Sequence, residues 1–286
     1  MELVRFSTSG NGGFRPGLLH DGSIHDLGAR FKTVADFLCK HPQGWGEQSV
    51  SLQGLAARPA SMAQLGPPID ENRVLYLIAA NYKAHAQEAG LDVPEQPVIF
   101  SKPYTALLGH NEAIELPAIS QKMDYEGELA VVIGKTAKSV PAARAAEHVA
   151  GYTIVNDVTA RDLQWTQLGK YRIVDWLSSK SLDRSTPVGP WIVSAQAVGN
   201  PHRLALKTTL NGRLMQDADT SMMVFPIWQI IEYLSARVTL RPGDIIATGT
   251  PFGVGGFREV FLKEGDVLSV EVERVGRLQN SARAVR

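Results

Sequence analysis

Short apolar runs, many of them rich in β-branched residues and bounded by glycine or proline, recur along most of the chain. Runs of this length and composition are typical of β-strands, and the turn residues between them mark the strand ends. Residues 204–214 predict a hairpin, because Asn211-Gly212 is a pair that a type I′ turn favours. Further strands are predicted at residues 3–6, 17–19, 24–27, 73–78, 97–103, 129–133, 151–157, 245–248 and 268–273.

Helical spacing of apolar residues is confined to a few short segments. Helices are predicted at residues 33–40, 81–90, 141–149, 159–164 and from 226 to 234. Asn81 is the expected N-cap and Gly90 the expected C-cap of the second helix. Residues 167–179 show neither the helical nor the strand spacing of apolar residues and are expected to be irregular and mobile.

Strands outnumber helices and do not alternate with them regularly. This order predicts an α+β fold, predominantly β, built on a large mixed or antiparallel sheet. Gly66-Pro67-Pro68 has the composition of a linker. We therefore expect a small N-terminal α/β domain at residues 1–70 and a larger domain at residues 71–286, which holds every candidate for chemistry.

Composition and charge exclude several function classes. The 286 residues include 29 basic side chains (Lys and Arg) and 29 acidic ones (Asp and Glu). The chain therefore lacks the basic excess that would indicate nucleic acid or an anionic membrane surface as a partner. No apolar run approaches the roughly 20 residues of a membrane helix, and the N-terminus lacks a signal-peptide pattern. A cytoplasmic protein is expected. The single cysteine, Cys39, cannot form an internal disulfide and is expected to be buried.

Two acidic side chains precede the strand predicted at residues 129–133. Because side chains alternate along a strand, Glu126 and Glu128 point to the same side. Like charges beside an apolar run repel and lose hydration, so a hard divalent cation is a candidate for neutralising them. Asp157, at the end of another predicted strand, is a candidate third ligand. The alternatives are a solvated strand face for the glutamates and a helix cap for Asp157.

His85 and Glu88 lie three residues apart on a predicted helix, so their side chains share a face. A carboxylate beside an imidazole orients the ring and raises its basicity, as a general base requires. An ordinary surface ion pair has the same spacing.

The glycine-rich segment 248–256 lacks the Gly-Lys-Ser/Thr ending of a phosphate loop, and no helix pattern follows it. A nucleotide site is therefore not indicated. The segment fits an active-site wall whose backbone N–H groups meet a carboxylate, or a plain flexible loop.

Six segments, taken together and in order, resemble the fumarylacetoacetate hydrolase family. They span roughly residues 73–275, about 70% of the chain. Each motif is short, and the specificity comes from six of them in register. The N-terminal unit also resembles the extra domain that many members carry. The segments are Asn81-Tyr82-x-x-His85-x-x-Glu88, Phe100-x-Lys102-Pro103, Asp124-Tyr125-Glu126-Gly127-Glu128-Leu129, Asn156-Asp157-x-Thr159-Ala160-Arg161-Asp162, Lys180-Ser181-x-Asp183 and Gly243-Asp244-x-Ile246-x-Thr248-Gly249-Thr250-Pro251-x-Gly253-Val254-Gly255.

The resemblance implies a mixed β-roll catalytic domain that is usually paired as a homodimer. It implies that Glu126, Glu128 and Asp157 ligate Mg²⁺ or Mn²⁺, with Ca²⁺ as a further candidate. Carboxylate oxygens suit these hard cations. Lys102 lies in a matching segment, but the resemblance gives it no firm role here.

The resemblance also implies the catalytic and substrate residues. His85 and Glu88 would lie on a mobile lid and take part in catalysis together with Lys180. Gln164 and Thr250 would contact the substrate, a small 2-oxo acid.

The implied reaction is hydrolysis of a C–C bond in an acylpyruvate or 2,4-dioxo acid through a pyruvate enolate, with His85 and Glu88 activating water. The family also includes oxaloacetate decarboxylases and isomerases or tautomerases of 2-oxo dioic acids, which share the enolate. Retention of His85 and Glu88 favours hydrolysis, and decarboxylation or isomerisation is the alternative. A catalytically silent binding protein on the same scaffold is a third possibility.

Overall fold

The computed structural model describes residues 1–8, 13–42, 44–90 and 92–285. Its fold is α+β with β structure predominating, which confirms the predicted class. The strands are β1 (Glu2–Ser7), β2 (Arg15–His20), β3 (Ser23–Asp26), β4 (Ala57–Pro59), β5 (Gln64–Leu65), β6 (Leu75–Ala79), β7 (Val98–Lys102), β8 (Leu107–Leu108), β9 (Ile114–Pro117), β10 (Met123–Asp124), β11 (Gly127–Ile133), β12 (Val149–Asn156), β13 (Thr159–Ala160), β14 (Trp165–Leu168), β15 (Tyr171–Val174), β16 (Thr186–Ser194), β17 (Ala205–Leu210), β18 (Arg213–Asp219), β19 (Ile245–Ala247), β20 (Val267–Val272) and β21 (Gly276–Val285).

The helices are short, and within the described ranges none is both long enough and apolar enough to cross a membrane. The α-helices are α1 (Val34–Lys40), α2 (Lys83–Glu88), α3 (Trp176–Lys180), α4 (Ala195–Val198) and α5 (Ile227–Arg237). The 3₁₀ helices are Ala60–Met62, Tyr104–Ala106, Ala142–His148, Arg161–Leu163, Thr220–Met222 and Gly255–Phe257.

The strands form one large mixed sheet, a smaller second sheet and two isolated pairs. The large sheet has the order β4-β3-β2-β1-β16-β12-β11-β19-β6-β7, with β5 beside β1 and β8 beside β16. Its neighbours are antiparallel except β19 with β6 and β16 with β8. The second sheet has the order β18-β17-β20-β21-β9, and the isolated pairs are β10-β13 and β14-β15.

Strand β11 is buried on both faces. Leu129, Val131 and Ile133 enter a core that includes residues of β17, β20 and α5. Ala130 and Val132 point the other way, into a core that includes residues of β1, β2 and α1. The sequence of a strand that is covered on both faces is a continuous apolar run, without polar alternation. The acidic residues at its start therefore point into the protein.

The N-terminal strands extend the large sheet. Strand β1 pairs with β16, with Leu3 opposite Ile192. The strands predicted at residues 3–6, 17–19 and 24–27 correspond to β1, β2 and β3. The division into domains at residue 70 stays a prediction.

Residues 159–179 differ from their prediction. The expected helix at 159–164 is a short strand, β13, followed by the 3₁₀ turn Arg161–Leu163. The segment expected to be irregular forms the hairpin β14–β15 and helix α3, which Asp175 caps by accepting the N–H of Ser178. All four residues of β14 are exposed, so burial imposes no apolar period on them.

Two local predictions near the helices are wrong. Asn81 does not cap α2, whose N-cap is Tyr82. Its buried side chain instead donates to the carbonyls of Thr248 and Phe225, at 2.7 Å and 3.2 Å, which outcompetes a local cap. Cys39 is exposed, because α1 turns Phe37 and other apolar residues towards the core and Cys39 away from it.

The hairpin and helix predicted in the second half of the chain are confirmed. Asn211 and Gly212 have φ values of 52° and 78° between β17 and β18, as a type I′ turn requires. Helix α5 buries Ile227, Ile230 and Leu234 on one face, which matches the predicted apolar period.

The close approach of β11 to the second sheet predicts that Gly127→Ala destabilises the protein. A Cβ at this position would lie 2.3 Å from Thr208 Oγ1 and 2.9 Å from Val270 Cγ1. Overpacking of this kind costs about 1–3 kcal/mol in the free energy of unfolding. Urea unfolding followed by circular dichroism measures the change.

Gly46→Ala is the matched control, because a Cβ on Gly46 would meet nothing within 4 Å. If Gly127→Ala were as stable as Gly46→Ala, the two sheets would not pack as closely as described.

Candidate metal centre and active site

Three carboxylates meet where strand β11 begins and strand β12 ends. Glu126 immediately precedes β11, Glu128 lies within it, and Asp157 follows β12. One oxygen from each side chain lies within 4.8 Å of the other two. All three residues are buried, so the solvated strand face that the sequence allowed does not occur. The three charges therefore repel each other in a poorly hydrated environment.

The pairing of β11 with β12 brings these side chains together. Gly127 opposes Asn156 in the antiparallel ladder, so the residues just outside this pair are neighbours. The side-chain oxygen of Asn156 accepts a hydrogen bond from the N–H of Glu126 at 2.9 Å. The carbonyl of Glu126 accepts one from the N–H of Asp157 at 2.8 Å. These two hydrogen bonds thus fix the backbone of two of the three acidic residues.

Three basic side chains lie against the carboxylates. Lys180 Nζ is 2.7 Å from Glu126 Oε2 and 2.5 Å from Asp157 Oδ2. Lys102, for which the sequence indicates no firm role, places Nζ 2.6 Å from Asp157 Oδ1. Arg161 lies 2.5 Å from the other oxygen of Glu126. These positive charges offset part of the repulsion among the acids.

The two glutamates differ in their electrostatic surroundings. Burial opposes the ionisation of Glu126, but the charges of Lys180 and Arg161 outweigh it and lower its pKa. In the described part of the chain no basic side chain pairs directly with Glu128, which accepts a hydrogen bond from the N–H of Gly249 at 2.7 Å. Burial and the neighbouring carboxylates raise the pKa of Glu128 well above its usual range.

This donor set fits a hard divalent cation. Mg²⁺ and Mn²⁺ prefer carboxylate oxygens, and the three acids lie close enough together to share one ion. Glu126 and Asp157 already have lysine partners, whereas Glu128 has none among the residues described. Glu128 is therefore the carboxyl group whose ionisation a bound cation would favour most.

The three acids open into a cavity of about 610 Å³. Glu88 does not line this cavity but lies beside His85 on helix α2. Apolar and aromatic side chains such as Ile78, Phe100 and Trp176 form much of the remaining wall. The other seven residues predicted to form the site all line it: His85, Glu126, Glu128, Asp157, Gln164, Lys180 and Thr250.

His85 and Glu88 form a pair at the cavity. His85 Nδ1 lies 3.6 Å from Glu88 Oε2, and the His85 side chain is 13% exposed. Glu88 also accepts the N–H of Gly253, at 3.0 Å and 3.3 Å to its two oxygens. Burial would raise the pKa of Glu88, but the adjacent His85 ring and the hydrogen bonds from the Gly253 N–H outweigh it and lower the pKa. An ionised carboxylate therefore faces the ring, as the orienting role requires.

Thr250 and Gln164 lie on different parts of the wall. The Thr250 hydroxyl donates to the carbonyl of Gly127 at 3.0 Å and accepts a hydrogen bond from the Gln216 amide at 2.8 Å. Gln164 follows the 3₁₀ turn after β13, and its backbone connects this turn to the base of the β14–β15 hairpin. Thr250 is therefore fixed by the two sheets, and Gln164 by the turn.

The glycine-rich segment forms a wall as one of its two interpretations predicts. The N–H groups of Gly255 and Gly256 donate to Asp124 at 2.6 Å and 2.8 Å, and Gly249 donates to Glu128. Arg161 Nε also contacts Asp124, at 2.8 Å. Backbone N–H groups here meet carboxylates of the chain itself.

Sequence reasoning missed several supporting side chains. Asp124, Asn156 and Arg161 lie inside the matched motifs, so the motifs marked them without indicating what they contact. Gln216 occupies an ordinary strand position, and nothing local distinguishes it. Its amide nevertheless bridges Gly127 and Thr250 from the second sheet. Its role depends on a contact between sheets that the local pattern does not encode.

A family model for the fumarylacetoacetate (FAA) hydrolase C-terminal region matches residues 75–283. This range contains all eight residues that were predicted to form the site. The chain belongs to the fumarylacetoacetate hydrolase family.

Individual relatives carry different activities in their names. The chain is 40% identical over 292 residues to a Bos taurus protein named oxaloacetate tautomerase FAHD2B, mitochondrial, which covers 98% of this chain and 91% of the relative. The 5-carboxymethyl-2-hydroxymuconate delta-isomerase of Mycobacterium smegmatis is 36% identical, with a TM-score of 0.77 and 100% of both chains covered. Maleylpyruvate hydrolase from Sphingobium sp. SYK-6, solved with manganese(II) and pyruvate, is 31% identical, with a TM-score of 0.80 and 100% of both chains covered. Family membership alone therefore does not select one reaction.

The different surroundings of Glu126 and Glu128 predict opposite effects of the same substitution. With a chelator present, Glu128→Gln should raise the free energy of unfolding by about 1–3 kcal/mol, because it removes a buried carboxyl group whose ionisation burial and the neighbouring carboxylates oppose. Glu126→Gln should lower it by a similar amount, because Lys180 and Arg161 lose a partner. Urea unfolding of both variants measures the two changes. Shifts of the same sign would contradict this description of the charges.

Proposed function

We propose that Glu126, Glu128 and Asp157 hold a divalent cation, Mg²⁺ or Mn²⁺, and that the cavity binds a small 2-oxo acid beside it. Ca²⁺ meets the same ligand preference. The support comes from the three converging carboxylates and from the unpaired charge of Glu128. The hydrolase from Sphingobium, whose structure holds manganese and pyruvate, adds an argument from similarity.

The proposed reaction is hydrolytic cleavage of the C–C bond between the pyruvate and acyl parts of an acylpyruvate or 2,4-dioxo acid. When this bond breaks, its electrons move onto the pyruvate carbon and its neighbouring keto oxygen. A bound divalent cation supplies Lewis-acid stabilisation for that negative charge. Lys180 lies beside the same position, so its ammonium group adds a second positive charge.

His85 is the proposed general base. It lines the same cavity as the three acids, and Glu88 orients its ring. We assign it the removal of a proton from the water that attacks the acyl carbonyl. Thr250 and Gln164 are proposed to orient the substrate. The cavity of about 610 Å³ has room for an acyl group beyond the pyruvate part. The observation that carries the choice of hydrolysis is the His85–Glu88 pair at this cavity, which can activate water.

A second candidate is tautomerisation or decarboxylation of an oxaloacetate-like acid, or isomerisation of an unsaturated 2-oxo dioic acid. The relative named oxaloacetate tautomerase favours it, because it is 40% identical to this chain, whereas the maleylpyruvate hydrolase is 31% identical. These reactions use the same enolate but do not consume water.

Removal of the metal tests the proposed cation. Mn²⁺ at about 100 times its Kd should stabilise the protein by about 2.7 kcal/mol, and a chelator should reverse this and abolish pyruvate release from acetylpyruvate. Thermal unfolding and a coupled pyruvate assay measure the two effects.

Glu128→Gln is the control for this test, because it removes one ligand charge and should lose most of the Mn²⁺-dependent shift. Turnover that persists in the chelator would contradict the proposal. Absence of any Mn²⁺ binding by calorimetry would favour a silent binding protein instead.

His85→Ala separates the two candidate reactions. General-base catalysis typically contributes about 10²- to 10⁴-fold, so hydrolysis of acetylpyruvate should fall by that factor. Decarboxylation of oxaloacetate needs no base for water and should continue. Parallel assays of both substrates measure the difference, with His20→Ala, a histidine outside the cavity, as the control. Undiminished acetylpyruvate hydrolysis in His85→Ala would rule out the assigned base.

A further inference from the structure

A closed ring of hydrogen bonds surrounds Gly127, the residue between the two glutamates of the candidate metal centre. The N–H of Gly127 donates to Gln216 Oε1 at 3.0 Å, and the Gln216 amide donates to Thr250 Oγ1 at 2.8 Å. The Thr250 hydroxyl closes the ring by donating to the Gly127 carbonyl at 3.0 Å. Gln216 is the member of this ring that comes from the second sheet, and the proposed function gives it no role.

Chemistry fixes the direction of every bond in the ring. A backbone N–H can only donate, so the Gln216 atom that faces Gly127 is the amide oxygen. The carbonyl of Pro251 can only accept, and it lies 2.8 Å from the amide nitrogen of Gln216. The two N–H groups of that nitrogen are therefore used on Pro251 and Thr250. The Thr250 hydroxyl accepts one of them, and its own proton points to Gly127.

The ring replaces backbone pairing that strand β19 does not provide. β19 pairs with a later part of β11, and the N–H of Thr248 makes the next bond, to the Leu129 carbonyl. Beyond this point the side chains of Gln216 and Thr250 satisfy the backbone groups of Gly127. Buried backbone N–H and C=O groups are almost always hydrogen-bonded. The Gly127 backbone therefore depends on these two side chains.

A β-bulge aims Gln216 at the first sheet. Thr208 of β17 opposes Gln216, whereas Thr209 opposes Leu214, so Met215 is an extra residue in β18. An extra residue redirects the side chains beside it, and bulges are frequent next to active sites. Met215 and Gln216 are accordingly both buried although they are consecutive, and Gln216 is 0% exposed.

The position of Gly127 controls the position of two proposed metal ligands. Glu126 and Glu128 are its direct neighbours in the chain, so a shift of the Gly127 backbone moves both carboxylates relative to Asp157. A cation needs its ligand oxygens at set distances, and residues that orient the ligands tune its affinity. Opening the ring should therefore weaken metal binding as well as stability.

We propose that Gln216 is a positioning residue for the metal centre. Through Gly127 and Thr250 it keeps the two glutamates at the distance from Asp157 that a divalent cation requires. Gln216 does not line the cavity, so it acts only through these neighbours. The inference rests on the proposed function, because it takes the three carboxylates as the metal ligands.

Calorimetric titration of Mn²⁺ into Gln216→Met tests the proposal. Methionine has nearly the size of glutamine but lacks the amide, so the ring opens with little change in volume. The Kd for Mn²⁺ should rise by about 10- to 100-fold, as is typical when a group that orients metal ligands is lost. An unchanged Kd would contradict the proposal. Circular dichroism checks that the variant folds, and Thr250→Val opens the same ring if it does not.

Thr208→Val is the matched control. Thr208 opposes Gln216 in the second sheet, is equally buried, and its hydroxyl has no hydrogen-bond partner among the described residues. The substitution alters a buried polar group at the same place and leaves the ring closed, so the Kd should keep its wild-type value. A rise as large as that in Gln216→Met would mean that packing of the second sheet, and not the ring, positions the ligands.

A double variant tests whether Gln216 and Thr250 act as one unit. Each single substitution opens the same ring, so Gln216→Met/Thr250→Val should raise the Kd for Mn²⁺ little more than either alone. If the two effects multiply, the residues act independently and the ring does not account for them.

Hydrogen–deuterium exchange reports on the ring in metal-free protein. Exchange in the segment that contains Gly127 should be faster in Gln216→Met than in the wild type, and unchanged in Thr208→Val. Unchanged exchange in Gln216→Met would overturn the ring whatever the metal does. If the wild type binds Mn²⁺ and Gln216→Met binds it equally well, the inference fails and the proposed function stands. If the wild type binds no Mn²⁺, both fail.

Discussion

Mutual repulsion among three buried carboxylates is the constraint on which this site depends. Glu126, Glu128 and Asp157 lie too close together to be ionised without compensation. The protein compensates unevenly, with Lys180 and Lys102 on two of the acids and only backbone contact on Glu128. An uncompensated charge of this kind costs stability unless a cation binds. A bound divalent cation would thus couple metal binding to stability through Glu128.

The scaffold holds the acids in place because strand β11, which carries Glu128 and directly follows Glu126, is packed on both sides. The second sheet covers one face of β11, and the N-terminal strands and α1 contribute to the core on the other. The cavity walls also include residues of α2, of the β14–β15 hairpin and of the loop after β19.

The sequence predicted what local patterns encode. Strand β11, the hairpin at Asn211-Gly212 and helix α5 each have a period or turn signal within a few residues. The site residues emerged because their motifs occur in one order, although Glu-x-Glu alone allowed a solvated face. The β14–β15 hairpin was missed because exposure removes the apolar period. Asn81 was assigned to a helix cap because its partners, Thr248 and Phe225, lie far along the chain.

The contrast between Glu126 and Glu128 shows why the chemistry of the site required the structure. Both are glutamates at the start of β11, two residues apart, so their local sequence makes them equivalent. Their pKa values shift in opposite directions because Glu126 meets Lys180 and Arg161, which are 54 and 35 residues away along the chain. No helix or strand period encodes such distances. Residue identity limited the site to hard cations, whereas the packing of distant segments decided which acid lacks a partner.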